Sequence, residues 1–124
     1  MPTYLGCVQS KEDAICLVEA CFRGELSHLC RKPRDGEAAI SGNVFVWEAS
    51  STGIDHWSDG MRWSVREEEG FEVGEAADGS GLMRKTIAIP VSKYFHYVVS
   101  YYTASDAQTL ARPSRETLRR PGNH

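Results

Sequence analysis

Near the front of the chain, and clearly only there, the apolar residues recur with a helical period, and this restricts the fold more than any other feature. Ser10 stands where a helix cap is needed, with Asp13 three residues on in the capping-box position. Ala14, Ile15, Leu17, Val18, Cys21 and Phe22 then form one broad face at three- and four-residue spacing, and Gly24 supplies a stop. The spacing predicts a helix over residues 11–23, with one further turn over residues 25–30 through Leu26 and Leu29. Beyond residue 40 the signals are those of strands. Residues 43–48 combine β-branched and aromatic side chains and end at the turn formers of residues 49–53. Asp59-Gly60, set between His56-Trp57 and Arg62-Trp63, predicts a tight hairpin, because such turns need positive φ. Residues 67–70 are expected as a solvated acidic turn, residues 71–73 as a short strand and residues 76–81 as a loop. Residues 86–91 and 94–103 complete the strands, Pro90 placing the first of these at an edge or a bulge. A leading helix followed by antiparallel strands makes the class α+β.

At 124 residues the chain has the size of one domain, which argues against an enzyme with an interdomain cleft. No apolar run approaches the ~20 residues needed to cross a bilayer, and Met1-Pro2-Thr3-Tyr4 lacks the layout of a secretory signal. The expectation is a chain neither secreted nor membrane-spanning. Cys7, Cys16, Cys21 and Cys30 include no close C-x-x-C pair of the kind zinc sites use, so reduced thiols in an intracellular protein, with no metal and no cofactor, are expected. Cys30 lies two residues from His28, the raw material of a nucleophile-base pair, but no catalytic signature surrounds it and no small-molecule substrate is expected. Trp47, Trp57 and Trp63 suit a core better than a stacking platform for unpaired bases.

The net charge of −3 hides a strong asymmetry. Residues 1–54 carry −2, residues 55–78 carry −6 and residues 84–124 carry +5. A polyanion could therefore be bound locally by the loop of Arg31, Lys32 and Arg34, provided the acidic middle faces away. From residue 111 onward the Arg-, Pro- and Ser-rich composition predicts an arm that orders only on a partner.

Several segments, in order, resemble the WOPR domain of fungal transcription regulators. Pro2-Thr3-Tyr4-Leu5-Gly6 is similar to P-T-Y-x-G, Ser41-Gly42-Asn43-Val44-Phe45-Val46-Trp47 to S-G-S-V-F-V-F, and Gly53-Ile54-Asp55-His56-Trp57-Ser58-Asp59-Gly60 to G-I-K-R-W-T-D-G. Arg62-Trp63-Ser64, Lys85-Thr86-Ile87, Val99-Ser100-Tyr101-Tyr102 and Leu110-Ala111-Arg112-Pro113-Ser114 resemble later segments in the same order. The resemblance implies a single domain over residues 1–115, built from two interlaced halves, with residues 116–124 a basic tail. It also implies a nuclear regulator that binds an A/T-rich duplex, its basic loop in the minor groove. The candidate DNA-binding residues are Arg31, Lys32, Arg34, Arg62 and Lys85, with His56 and Arg66, neither of which matches the family's basic residue, as residual contacts or plain surface side chains. The chain departs from the family in the hairpin segment, where Asp55-His56 replaces Lys-Arg, and after Trp63, where Arg66 is followed by three glutamates. These departures leave a second reading, in which the fold has lost DNA and the acidic segment 67–78 contacts protein partners.

Overall fold

The computed structural model describes residues 2–54 and 56–114. The elements are β1 (Tyr4–Leu5), α1 (Lys11–Phe22), β2 (Asn43–Glu48), α2 (Ala49–Thr52), β3 (Trp63–Glu68), β4 (Phe71–Ala76), β5 (Leu82–Val91), β6 (Tyr94–Thr103) and α3 (Ala104–Ala107). The six strands form a single antiparallel sheet in the order β1-β2-β6-β5-β4-β3. The two ends of the sequence interlace at its centre, because β6 pairs with β2 along Val44↔Ser100 to Glu48↔His96 and with β5 along ten positions.

The expected helix forms because its cap closes in both directions. The Asp13 N–H donates to Ser10 Oγ at 3.2 Å, and Ser10 N–H donates to Asp13 Oδ2 at 3.2 Å. Its apolar face lies on one side of the sheet, where Ala14, Leu17 and Val18 pack with Val44, Val46, Val73 and Val98. On the other side, among the described residues, no long helix covers the sheet. Phe45, Trp47, Val99 and Tyr101 are roofed instead by side chains of two loops, Leu29 and Ala38 from residues 23–42 and Ile54, Trp57 and Met61 from residues 53–62.

Several expectations are corrected. Residues 25–30 are not helical, and the Leu29 N–H donates to the Val46 carbonyl at 2.8 Å. Asp59-Gly60 forms no hairpin. The tight turn is at Glu69-Gly70, with φ of 53° and 87°, and it joins β3 to β4. The acidic run is thus mostly strand, and the short strand expected at 71–73 extends to Ala76. Residues 49–52 make one helical turn, capped by the Glu48 carboxylate, which accepts from Ser50 and Ser51 N–H; hydrogen bonds from these serines hold its pKa down at about 2. Pro90 lies on an interior strand, but past Thr86, where pairing with β4 ends, so its missing N–H faces no neighbour. Residues 111–114 are ordered on the domain: the Ala111 carbonyl accepts from Cys7 N–H at 2.9 Å, Arg112 pairs with Asp13 at 3.0 Å, and Pro113 is buried. Residues 116–124, expected as a basic tail, lie outside the described residues.

Leu17 is fully buried under the sheet, whereas Val65 on β3 is 54% exposed. Leu17→Ala is expected to cost about 3 kcal/mol, and Val65→Thr less than about 0.5 kcal/mol, as read from urea unfolding midpoints.

Candidate nucleic-acid interface

The loop of residues 53–62 is irregular, so its shape must come from side chains that bond it to the sheet. Asp59 provides most of them. It is 3% exposed, and its carboxylate accepts four hydrogen bonds: from Met61 N–H at 3.2 Å and Trp63 Nε1 at 3.0 Å on Oδ1, and from Tyr101 OH at 2.6 Å and Arg84 at 3.1 Å on Oδ2. Tyr101 OH in turn accepts from Trp57 Nε1 at 2.8 Å, and Trp47 Nε1 donates to the Ile54 carbonyl at 3.2 Å. Burial by itself would raise the carboxyl pKa of Asp59. The bonds from Trp63, Tyr101 and Met61 and the Arg84 charge outweigh it, and the group is held below the ordinary carboxylate range. Burial, and then the bond to Asp59, push the Tyr101 phenol well above its usual value. Arg84 is sandwiched as well, 4.7 Å over the Trp63 ring.

The basic loop rests on this pinned segment. Lys32 Nζ donates to Ser58 Oγ, and Asp35 sits so close to Gly60 that a Cβ there would lie 3.1 Å from it, a second reason, beside φ +78°, for glycine at that position. Arg31, Lys32 and Arg34 are exposed. Among the described residues Arg31 and Arg34 make no ion pair. With Pro2, His28 and Glu37 these three cations border a recess of about 550 Å³. His56 is exposed on the 53–62 loop, and Arg62 is exposed where that loop enters β3, its carbonyl accepting from Ala77 N–H at 3.0 Å.

The other two expected residues lie elsewhere. Arg66 and Lys85 both stand opposite Val73 in register, and cross-strand partners share a face, so both are on the α1 side of the sheet. Arg66 pairs with Glu68 at 3.0 Å. Lys85 Nζ donates to the Gln9 carbonyl at 3.2 Å and lies 5.1 Å over the Phe71 ring, which makes it a tie between β5 and the start of α1. The acidic hairpin of β3 and β4 is at the far edge of the sheet, four strands from β2, while the basic loop adjoins β1, since Pro33 and Gly36 line a groove with Tyr4 and Leu5. Asp55 lies outside the described residues. Cys7, Cys16 and Cys21 are buried outside any disulfide, and the exposed Cys30 Sγ bonds the His28 carbonyl at 3.8 Å rather than its imidazole. Sequence reasoning took Asp59 for a turn former and passed over Arg84 altogether; the tryptophans crowded around Asp59-Gly60 were the signal that this carboxylate is enclosed.

Residues 3–73 match the Gti1/Pac2 family, more than half of the chain. The chain belongs to this family. It is 46% identical over 65 residues to the Global transcription regulator FGP1 of Gibberella zeae, a match covering 50% of this chain and 19% of that protein. It is 39% identical over 96 residues to the cAMP-independent regulatory protein pac2 of Schizosaccharomyces pombe, covering 64% and 41%. The chain thus spans about a fifth of the first of these relatives and less than half of the second. Among solved structures, the WOPR domain of Wor1 from Candida albicans in complex with a 13-base-pair DNA duplex superposes with a TM-score of 0.84 at 30% identity, covering 98% of this chain and 90% of that one. The complex of the same domain with a 17-base-pair duplex gives 0.82.

The depressed Asp59 pKa fixes a pH dependence for this Gti1/Pac2 domain. A carboxyl whose folded pKa lies below its unfolded value of about 3.9 stabilises fully above that value and loses its contribution as pH falls through the folded one. Asp59→Ala is expected to cost about 3–5 kcal/mol at pH 7, since it takes the acceptor from Trp63, Tyr101 and Met61 N–H and leaves the largely enclosed Arg84 with only the 3.7 Å ion pair to Glu72. Urea midpoints for wild type and Asp59→Asn are expected to differ most at pH 7 and to converge as pH falls below about 3.9 and through the depressed folded pKa of Asp59.

Proposed function

We propose that this domain binds A/T-rich double-stranded DNA through the loop of Arg31, Lys32 and Arg34, as the DNA-binding part of a nuclear transcription regulator that works without cofactor or catalysis. One observation carries the reading: these cations project, exposed, from a loop seated on the Asp59-pinned segment, on a fold that matches a WOPR domain bound to duplex DNA. The narrow minor groove of A/T-rich DNA concentrates negative potential, and arginine is the side chain best suited to enter it. His56 and Arg62 flank the loop within reach of neighbouring phosphates or base edges. Arg66 and Lys85, on the opposite face, are left out of this interface. The acidic β3–β4 hairpin at the other edge of the sheet repels a duplex there and so orients the molecule with its basic edge inward.

Fluorescence anisotropy with an A/T-rich duplex and a shuffled control, across a salt series, tests this. Wild type is expected to prefer the A/T-rich duplex, with affinity falling steeply as salt rises. Arg31→Ala with Arg34→Ala is expected to reduce the salt slope by about 2, close to one per lost phosphate contact. Arg66→Ala is expected to change affinity less than twofold. No binding to either duplex at low salt by a folded domain would overturn the proposal.

A further inference from the structure

We propose that the cavity beside the 53–62 loop, distinct from the basic loop, is a binding site for an uncharged purine-type ring. The cavity measures about 350 Å³, within the range of small-molecule sites. Its wall is flat and aromatic. Trp57 stacks on Trp47 with centroids 4.6 Å apart at 18°, and Trp47 stacks on Tyr97 at 5.4 Å and 23°. Trp47 is a core residue, but Trp57 and Tyr97 are only half-buried, so the stack that closes the core on one side presents ring surface to the cavity on the other. Thr86 contributes a short side chain to the lining.

Besides Thr86 and His56, the latter shared with the proposed duplex interface, two charged groups border the same space. Arg84 is immobilised by Asp59 and by the Trp63 ring, yet its buried Nε has no acceptor. A buried N–H without a partner is costly, and an incoming acceptor would satisfy it. Glu72 stands 3.7 Å from Arg84, half exposed, with carboxylate oxygen free to accept from a ligand N–H. Asp59 and Glu72 together outweigh the Arg84 charge, which disfavours an anion. A flat, uncharged ring carrying an acceptor next to an N–H on one edge meets all of these conditions. Both purine bases have that edge: O6 beside N1–H in guanine, N1 beside N6–H in adenine. The base could come from a free nucleoside or from an unpaired nucleotide in a strand.

Titration of the whole chain with adenosine and with guanosine, read by tryptophan fluorescence and calorimetry, tests the site, with a deoxyadenosine tetranucleotide as a second arm. Saturable quenching is expected with at least one nucleoside. Tighter binding of the tetranucleotide identifies a strand as the source of the base, and equal or weaker binding identifies the free nucleoside. Thr86→Leu, which fills part of the cavity, is expected to raise the dissociation constant at least tenfold while leaving the melting temperature and duplex binding unchanged. Glu72→Gln, at a half-exposed side chain, is expected to raise it about threefold. Absence of saturable quenching at millimolar nucleoside, or wild-type affinity in both variants, overturns the proposal, and duplex anisotropy on the same samples keeps that outcome separate from any failure of the DNA reading.

Discussion

A buried carboxylate survives only when its lone pairs are occupied, and Asp59 satisfies that condition with donors from its own loop, β3, β5 and β6. The arrangement works in both directions. The sheet supplies the donors that make Asp59 tolerable, and Asp59 gives a loop without internal regular structure a single position over the sheet. Trp57 and Trp63 then become fixed walls, Gly60 comes to lie against Asp35, and Ser58 is presented to Lys32. Removing the carboxylate would release two loops at once, because the basic loop has its footing on the first.

The same architecture resolves a contradiction in the charge. An acidic chain is a poor candidate for a polyanion partner until the strand order is known. The sheet places β6, β5 and β4 between β2 and the acidic β3 edge, and the basic loop packs toward β1. The exposed basic loop and the acidic β3–β4 hairpin thereby lie in different parts of the fold, and the field a ligand meets depends on the direction of its approach.

What could be read from sequence was what local chemistry determines. Ser10 and Asp13 set the start of α1 through bonds spanning three residues, and Val44-Phe45-Val46-Trp47 could only be a buried strand. The family resemblance supplied the interlaced halves and the basic loop. The errors arose where a distant partner overrode a local preference. Asp59-Gly60 has the composition of a hairpin turn, but Asp59 is engaged by Tyr101, 42 residues away, and Arg84, 25 residues away. A tight hairpin turn forms at Glu69-Gly70, inside the acidic turn expected over residues 67–70, and there Glu69 takes the left-handed backbone usually left to glycine or asparagine. Lys85 matched the family motif, and its Nζ bonds the Gln9 carbonyl on the α1 side of the sheet; a lone lysine in a sequence does not reveal which face of a sheet it occupies.

The central position of β6 also decides when the chain can fold. Beyond the two-residue β1, β2 has no partner but β6 among the described residues, and β6 begins 46 residues after β2 ends. During synthesis the apolar run Val44–Trp47 must therefore wait, unpaired along one edge, until nearly the whole domain has been made. Such non-local pairing is slow to form and leaves sticky edges exposed meanwhile. The two halves of this domain complete one another: a chain cut between β4 and β6 would carry β2 with an unpaired edge, the kind of exposed edge that favours aggregation.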